Sequence, residues 1–111
     1  MTLMVRAADA ELTSDDPKPG RVLAGNPVTS SAALPGDDKV KRGIWQIAPG
    51  TAVEVAPAGM FVVLSGRATV AVDGGPTFDI GAGDACVWDG GERAIWTVHE
   101  TLRKVYQITR S

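Results

Sequence analysis

Few side chains in this sequence are of a type that does chemistry, and those few are scattered. His99 is the only histidine and Cys86 the only cysteine. A zinc site needs three or four protein ligands, so a lone histidine does not predict one. His99 could titrate near neutral pH as an acid or base, although a strand-end histidine bonded to a neighbour is the commoner role. Cys86 lies in an apolar stretch, where a thiol is usually inert.

Glu54 stands in the middle of an alternating, β-branched stretch, TAVEVA, at residues 51–56. A carboxylate that is buried must be paired, hydrogen-bonded or neutral. Two interpretations therefore stay open. Glu54 is either a group that orients a ligand or exchanges protons with it, or a partly hydrated carboxylate paired with an arginine.

Aromatic residues supply the remaining candidates. Trp96 shares one face of the alternating stretch RAIWTVH with Ala94 and Val98, so a small residue stands beside a large indole. Trp96 either walls an apolar pocket or fills the interior without a ligand. Tyr106 could present its hydroxyl to the interior or bury it against backbone. Trp45 is favoured as a packing residue that could also line the interior.

Short strands must position these residues, because thirteen glycines and seven prolines divide the chain at close intervals. The central pair, Met60–Val63 and Arg67–Val72, is predicted to be separated by a Leu64-Ser65-Gly66 turn and closed by Asp73-Gly74-Gly75. Further strand candidates are Arg21–Ala24, Val40–Ala48, Thr51–Ala56, Pro76–Ile80, Ala85–Trp88, Arg93–His99 and Leu102–Thr109. Eight or nine short strands with such turns are typical of an antiparallel sandwich or barrel.

Two stretches are predicted to be irregular. Residues 1–19 are polar and read as a loosely held N-terminal arm, and residues 28–38 are small and polar and read as a loop. The rest, residues 20–109, is expected to form one domain. Arg103 and Lys104, next to several acidic residues, are interpreted as a solvated strand face with cross-strand pairs.

Composition and net charge limit which partners and which cellular compartment can be expected. A net charge of −2 and a pI near 5.2 argue against nucleic acid as a partner. No apolar run approaches the roughly 20 residues of a membrane span, and the N-terminus has no apolar signal region. A single cysteine fits a reducing cytoplasm, so a cytoplasmic protein is expected.

From residue 43 onward a series of short motifs follows in a fixed order: Gly43-Ile44-Trp45, Pro49-Gly50, Val63-Leu64-Ser65-Gly66-Arg67, Asp73-Gly74-Gly75, Gly83-Asp84, Gly91, Trp96-Thr97-Val98-His99-Glu100 and Arg103-Lys104-Val105-Tyr106. In order and spacing they resemble a small single-domain cupin, of the type that includes the (S)-ureidoglycine aminohydrolase cupin domain and the ethanolamine-utilisation cupins. The resemblance covers roughly residues 20–109. It implies an all-β cupin jelly-roll barrel, also called a double-stranded β-helix, that is often dimeric.

The resemblance also locates the metal-ligand positions of cupins, which hold three histidines and a glutamate. Counting from Gly66 and Gly83, these positions fall on Ala52, Glu54, Gly59 and Ala94. Only Glu54 could donate to a metal, and one carboxylate does not make a site. We therefore expect no bound metal and no cofactor.

These observations predict a metal-free cupin barrel that binds a small molecule, lined by Trp96, Glu54, Tyr106 and Trp45. One alternative is a metal-independent isomerase, lyase or aminohydrolase acting on a small polar metabolite, with Glu54 and His99 as acid and base. Another is a structural or partner-binding dimer with a filled barrel. A homodimer is expected in each case, through the arm at Thr2–Arg6 and the strand Arg21–Ala24.

Overall fold

Antiparallel β-strands are the dominant structure in the computed structural model, which describes residues 2–16, 18 and 20–110. The described residues contain one 3-10 turn, Ala7–Asp9, and nine strands. The strands are β1 (Thr13–Ser14), β2 (Val22–Gly25), β3 (Thr29–Leu34), β4 (Val40–Ile47), β5 (Gly50–Val55), β6 (Gly59–Val72), β7 (Thr77–Gly81), β8 (Ala85–Trp88) and β9 (Arg93–Thr109). This confirms the predicted all-β jelly-roll class. No helix in these residues is long and apolar enough to cross a membrane.

The two longest strands, β6 and β9, form the spine of the sheet. They pair from Gly59 with Ile108 at one end to Val72 with Ala94 at the other. Strand β9 also pairs with β4 and β5, in the strand order β1-β3-β4-β9-β5-β2. Strands β7 and β8 pair with β6. Because β9 pairs with β4, β5 and β6 along its length, the sheet curls around the side chains of its inner face.

The predicted turn at Leu64-Ser65-Gly66 is wrong, because β6 runs through it as one strand. Likewise Arg93–His99 and Leu102–Thr109 are two halves of the single strand β9. The pairing of β6 with β9 shifts register between Val63 and Ala68, as at a β-bulge. The segment Leu64-Ser65-Gly66 therefore does not reverse the chain. It lies at a bend where β6 and β9 stay paired.

Residues 28–38, predicted to be a loop, contain strand β3. Its small residues pair along their whole length with β4, from Thr29 with Ile47 to Leu34 with Arg42. β-propensity depends on cross-strand neighbours more than on the residue itself, so a regular partner strand overrides the weak tendency of serine and alanine.

The N-terminal segment is fastened to the sheet, contrary to the expectation of a loosely held arm. Thr13 and Ser14 pair with β3. The Arg103 guanidinium donates hydrogen bonds from Nη1 to the carbonyl oxygens of Ala7, Ala8 and Ala10, at 3.0, 3.1 and 3.0 Å. The predicted boundary after residue 19 falls at a position outside the described residues.

The core lies on the inner face of the curled sheet. Alternate residues of β6 and β9 point into it, which is the period of two expected for a strand with one buried face. Val63, Val70, Trp96 and Leu102 are among its largest fully buried side chains. Ile44 is equally buried but belongs to the opposite face of β4, on the side of Gln46, which accepts a hydrogen bond from Arg103 Nε at 3.0 Å.

We predict that Gly66→Ala destabilises the protein more than Gly91→Ala. Both glycines have positive φ, +89° and +91°, which costs an L-residue about 1–2 kcal/mol. A Cβ at Gly66 would also lie 2.5 Å from Leu102 Cα, whereas one at Gly91 meets nothing within 4 Å. The added overpacking should bring the loss at Gly66 to about 3 kcal/mol or more. Urea unfolding of both variants measures the difference, and equal losses would contradict the close approach of β6 to β9.

Candidate functional site

Lys104 is the one charged side chain that is buried among the described residues, at 7% exposure. Its Nζ lies over three aromatic rings, 4.2 Å from the centroid of Phe61, 4.5 Å from that of Trp45 and 4.9 Å from that of Trp96. The face of an aromatic ring carries negative partial charge, so each ring attracts the ammonium group. A cation therefore sits inside the barrel, held partly by aromatic faces.

Strand register explains how the rings reach this position. Lys104 is the direct partner of Trp45 across β4 and β9, and Phe61 is the partner of Tyr106 across β6 and β9. Trp96 stands on the same face of β9, and its ring lies 6.0 Å from that of Trp45 and 5.6 Å from that of Phe61, centroid to centroid. Three strands thus contribute the three rings around one amine.

Glu54 provides the opposing charge. Its Oε2 lies 4.0 Å from Lys104 Nζ, and its side chain is 24% exposed. The separation exceeds a hydrogen bond, so the pair is electrostatic and leaves the N–H donors of Lys104 available. Burial lowers the pKa of Lys104, and the charge of Glu54, with a smaller contribution from Cys86, opposes part of that change.

Two neighbouring cavities open at this pair. The smaller, of about 150 Å³, is bordered by Lys104 and Phe61, and the larger, of about 690 Å³, by Trp96 and Ala52. Glu54, Trp45 and Tyr106 line both. Volumes of several hundred Å³ with mostly apolar walls and a few polar groups are typical of small-molecule sites.

Tyr106 is fixed at the boundary between the cavities by Gly43 on the adjacent strand. A Cβ at Gly43 would lie 2.5 Å from the Tyr106 hydroxyl oxygen, so only glycine leaves room for the ring. Burial raises the pKa of Tyr106, and Asp15 adds to the shift, so the hydroxyl keeps its proton. The Tyr106 side chain lines both cavities while its hydroxyl oxygen packs against Gly43, so the two roles left open for it are combined.

Trp96 combines the two roles considered for it. It is almost fully buried and packs against the other rings, yet it also borders the larger cavity. Neither Trp96 Nε1 nor Trp88 Nε1 has a hydrogen-bond partner among the described residues. Trp45 is half-buried and lines both cavities, so it both packs and lines the site.

His99 lies elsewhere. Its side chain is exposed, and Nε2 stands 2.8 Å from Thr69 Oγ1, which is itself 2.6 Å from Asp79 Oδ1. Strand alternation places residue 99 on the face opposite residues 94, 96 and 98. The structure therefore does not bring His99 to Glu54 as an acid–base pair. His99 is hydrogen-bonded to a neighbour, as expected, but it lies in the middle of β9 and not at a strand end.

The predicted solvated face with cross-strand pairs is wrong for Lys104, whereas Arg103 does pair across the strands, donating a hydrogen bond to Gln46 on β4. Arg103 is half-buried and binds the N-terminal segment, and Lys104 enters the core. The signal was present in the sequence, because Lys104 has the same parity in the strand as Leu102 and Tyr106. Its charge, rather than its position in the alternation, led to the wrong interpretation.

Residues 34–106 match the EutQ-like cupin domain family. The chain belongs to this family. This match confirms the cupin resemblance of the sequence. None of the curated proteins matches the chain.

Solved structures agree with the cupin fold. EutQ from Clostridium difficile is 14% identical, with a TM-score of 0.73 over 96% of this chain and 85% of that one. A protein of unknown function from Pseudomonas syringae pv. tomato is 23% identical, with a TM-score of 0.79 over 91% of this chain and 45% of that one. Ectoine synthase from P. lautus is 18% identical, with a TM-score of 0.66 over 80% and 68%. At these identities the likeness concerns the fold alone.

The residues of this cupin do not fit a cupin metal. Of the four ligand positions only Glu54 carries a donor, and the described residues contain no group of three His, Cys, Asp or Glu side chains able to hold an ion. A side chain at Gly59 is excluded by backbone, since a Cβ there would lie 2.7 Å from Ile108 Cα. The Lys104 ammonium beside Glu54 would also repel a metal cation.

We predict that the purified protein, dialysed without a chelator, holds no stoichiometric manganese, iron, nickel or zinc. A single carboxylate beside an ammonium group cannot retain an ion that needs several donors. Elemental analysis of the wild type and of Glu54→Ala is the measurement. About one equivalent of metal per chain, lost in Glu54→Ala, would overturn the metal-free interpretation.

Proposed function

We propose that this cupin is a metal-free barrel that binds a small organic molecule, with Lys104 and Glu54 as the polar groups that orient it. The observation that carries the proposal is the buried Lys104 ammonium beside Glu54 at the wall of a cavity of about 150 Å³. Around this pair the walls are largely aromatic, as in most ligand sites.

The cost of burying charge favours binding over simple filling of the barrel. Removing an ammonium group from water costs several kcal/mol, and an apolar side chain of similar volume is often as stable or more so. A barrel that needed only a packed interior would gain nothing from a lysine at position 104. Charged groups in a cleft with perturbed pKa values are instead typical of functional sites.

The geometry also describes the ligand in general terms. Lys104 offers N–H donors to an oxygen of the ligand, the Glu54 carboxylate accepts from a hydroxyl, amide or amine, and Tyr106 offers a hydroxyl at the boundary of the two cavities. The rings of Trp45 and Phe61 would contact the apolar part of the molecule. A small metabolite with a polar end and an apolar body meets these conditions.

Three tryptophans make the binding test direct. Trp45 and Trp88 line the smaller cavity, and Trp45 and Trp96 the larger, so every indole of the chain borders the site. A library of small metabolites would be screened by the indole N–H resonances in NMR spectra. We expect saturable shifts of these resonances for one compound class, and binding at least about tenfold weaker in Lys104→Met, because a charge-assisted hydrogen bond is lost.

The matched control is Lys39→Met, which removes an exposed lysine and should leave binding unchanged. Thermal unfolding of each variant first establishes that it is folded. A compound that binds Lys104→Met as tightly as the wild type, or a library with no saturable binder, would overturn the proposal.

We also propose that the protein is a homodimer in which strand β2 pairs with the same strand of a second copy. β2 lies at the end of the strand order, and the side chains of Val22 and Leu23 on it are each 53% exposed. An edge strand with exposed apolar residues is a ready template for another chain. The N-terminal Leu3 and Met4, also exposed, lie in the segment expected to assist.

We predict a mass of twice 11.6 kDa by light scattering at micromolar concentration. Leu23→Lys places a charge on the proposed interface and should shift the protein toward the monomer, as lysine does on natural edge strands. A wild type with only the monomer mass would remove this proposal and leave the binding proposal untouched.

A further inference from the structure

We propose that Lys104 forms an imine with a small aldehyde or ketone that enters the cavity, with Glu54 transferring the protons. The inference rests on the proposed binding function and names its ligand class. It starts from a primary amine that is buried, borders a cavity and faces a carboxylate 4.0 Å away.

The surroundings of the amine limit where a reactant can approach. The rings of Trp45, Phe61 and Trp96 stand within 4.9 Å of Nζ, and Glu54 stands on another side. The side that remains is the cavity of about 150 Å³ that Lys104 borders. A carbonyl carbon would therefore meet Nζ from the cavity, with its oxygen near Glu54.

Nucleophilic attack needs the neutral amine. Lysines that form imines are activated by an apolar site that disfavours the ammonium form. Burial lowers the pKa of Lys104 in this way. Glu54 counteracts part of the change, but it is also the base that can accept the proton which the ammonium must lose. At 4.0 Å, one bridging water or a small side-chain movement completes that path.

The steps balance with these two residues alone. Glu54 takes a proton from the Lys104 ammonium, and the nitrogen lone pair attacks the carbonyl carbon. Glu54 gives this proton to the carbonyl oxygen, which becomes a hydroxyl. Glu54 then removes one proton from nitrogen and gives it to the hydroxyl, which leaves as water when the carbon–nitrogen double bond forms. The sum is an ammonium and a carbonyl compound giving a protonated imine and water, with Glu54 unchanged.

The size of the cavity limits the reactant. A protein cavity of about 150 Å³ with apolar walls can hold a molecule the size of benzene, so the reacting part should have about six non-hydrogen atoms. The larger cavity beyond Tyr106 leaves room for an extension. Pyruvate and butanal both satisfy the limit, and they differ in charge.

The test is reductive trapping. The protein is incubated with pyruvate or with butanal and cyanoborohydride, which reduces the imine to a stable secondary amine, and peptide mass mapping locates the adduct. The chain has four lysines, at positions 18, 39, 41 and 104. We expect the adduct on Lys104 first, although Lys39 and Lys41 are exposed and Lys41 also lines both cavities. An adduct found mainly on Lys41 would therefore count against the inference. Carbon-13-labelled pyruvate reports the imine directly by NMR, without the reductant.

In Glu54→Gln the amide keeps the shape of the side chain but cannot exchange a proton, and the charge that opposes the lowering of the Lys104 pKa is lost as well. The rates are therefore compared at alkaline pH, where the amine is neutral in both proteins, after thermal unfolding has shown that the variant is folded. Adduct formation at Lys104 should slow by about tenfold or more in this variant, while the reaction of Lys39 stays unchanged. Adducts at exposed lysines alone, formed at the same rate in Lys104→Met, together with no imine resonance, would overturn the inference. A saturable ligand that Lys104→Met no longer binds would in that case still support the binding proposal.

Discussion

The ion pair of Lys104 and Glu54 is the interaction on which the rest of the site depends. An ammonium group in a barrel interior is stable only if other groups replace the water it loses. Here Trp45, Phe61 and Trp96 offer their faces and Glu54 offers a charge 4.0 Å away.

Much of the fold could be predicted because it rests on local signals. Alternation and turn residues identified β4, β5, β7 and β8 nearly to the residue. The errors occurred where tertiary pairing decides the conformation. Gly66 reads as a turn residue, yet it is needed because β6 bends closely over β9 near Leu102. Strand β3 exists because β4 offers it a partner, and nothing in its own small residues indicates that.

The site was only half predictable, for a physical reason. Glu54, Trp96 and Trp45 were named because strand alternation together with the cupin resemblance places them on the inner face, whereas the orientation of Tyr106 stayed open. Lys104 has the same parity, but its charge argued for solvent, and only a structure shows three rings collected from three strands around it. The sequence shows which face of its strand a residue occupies. It does not show which side chains, far apart in the chain, come together to stabilise a buried charge.

A double-mutant cycle on Lys104 and Glu54, read by urea unfolding, tests the central claim most directly. If the two charges stabilise each other in the interior, Glu54→Gln leaves an uncompensated buried ammonium and destabilises the protein by about 3 kcal/mol. Adding Lys104→Met to Glu54→Gln should then recover much of that loss, so that the double variant is more stable than Glu54→Gln alone. Strictly additive effects of the two substitutions would contradict the account, because they would show that Lys104 and Glu54 do not interact.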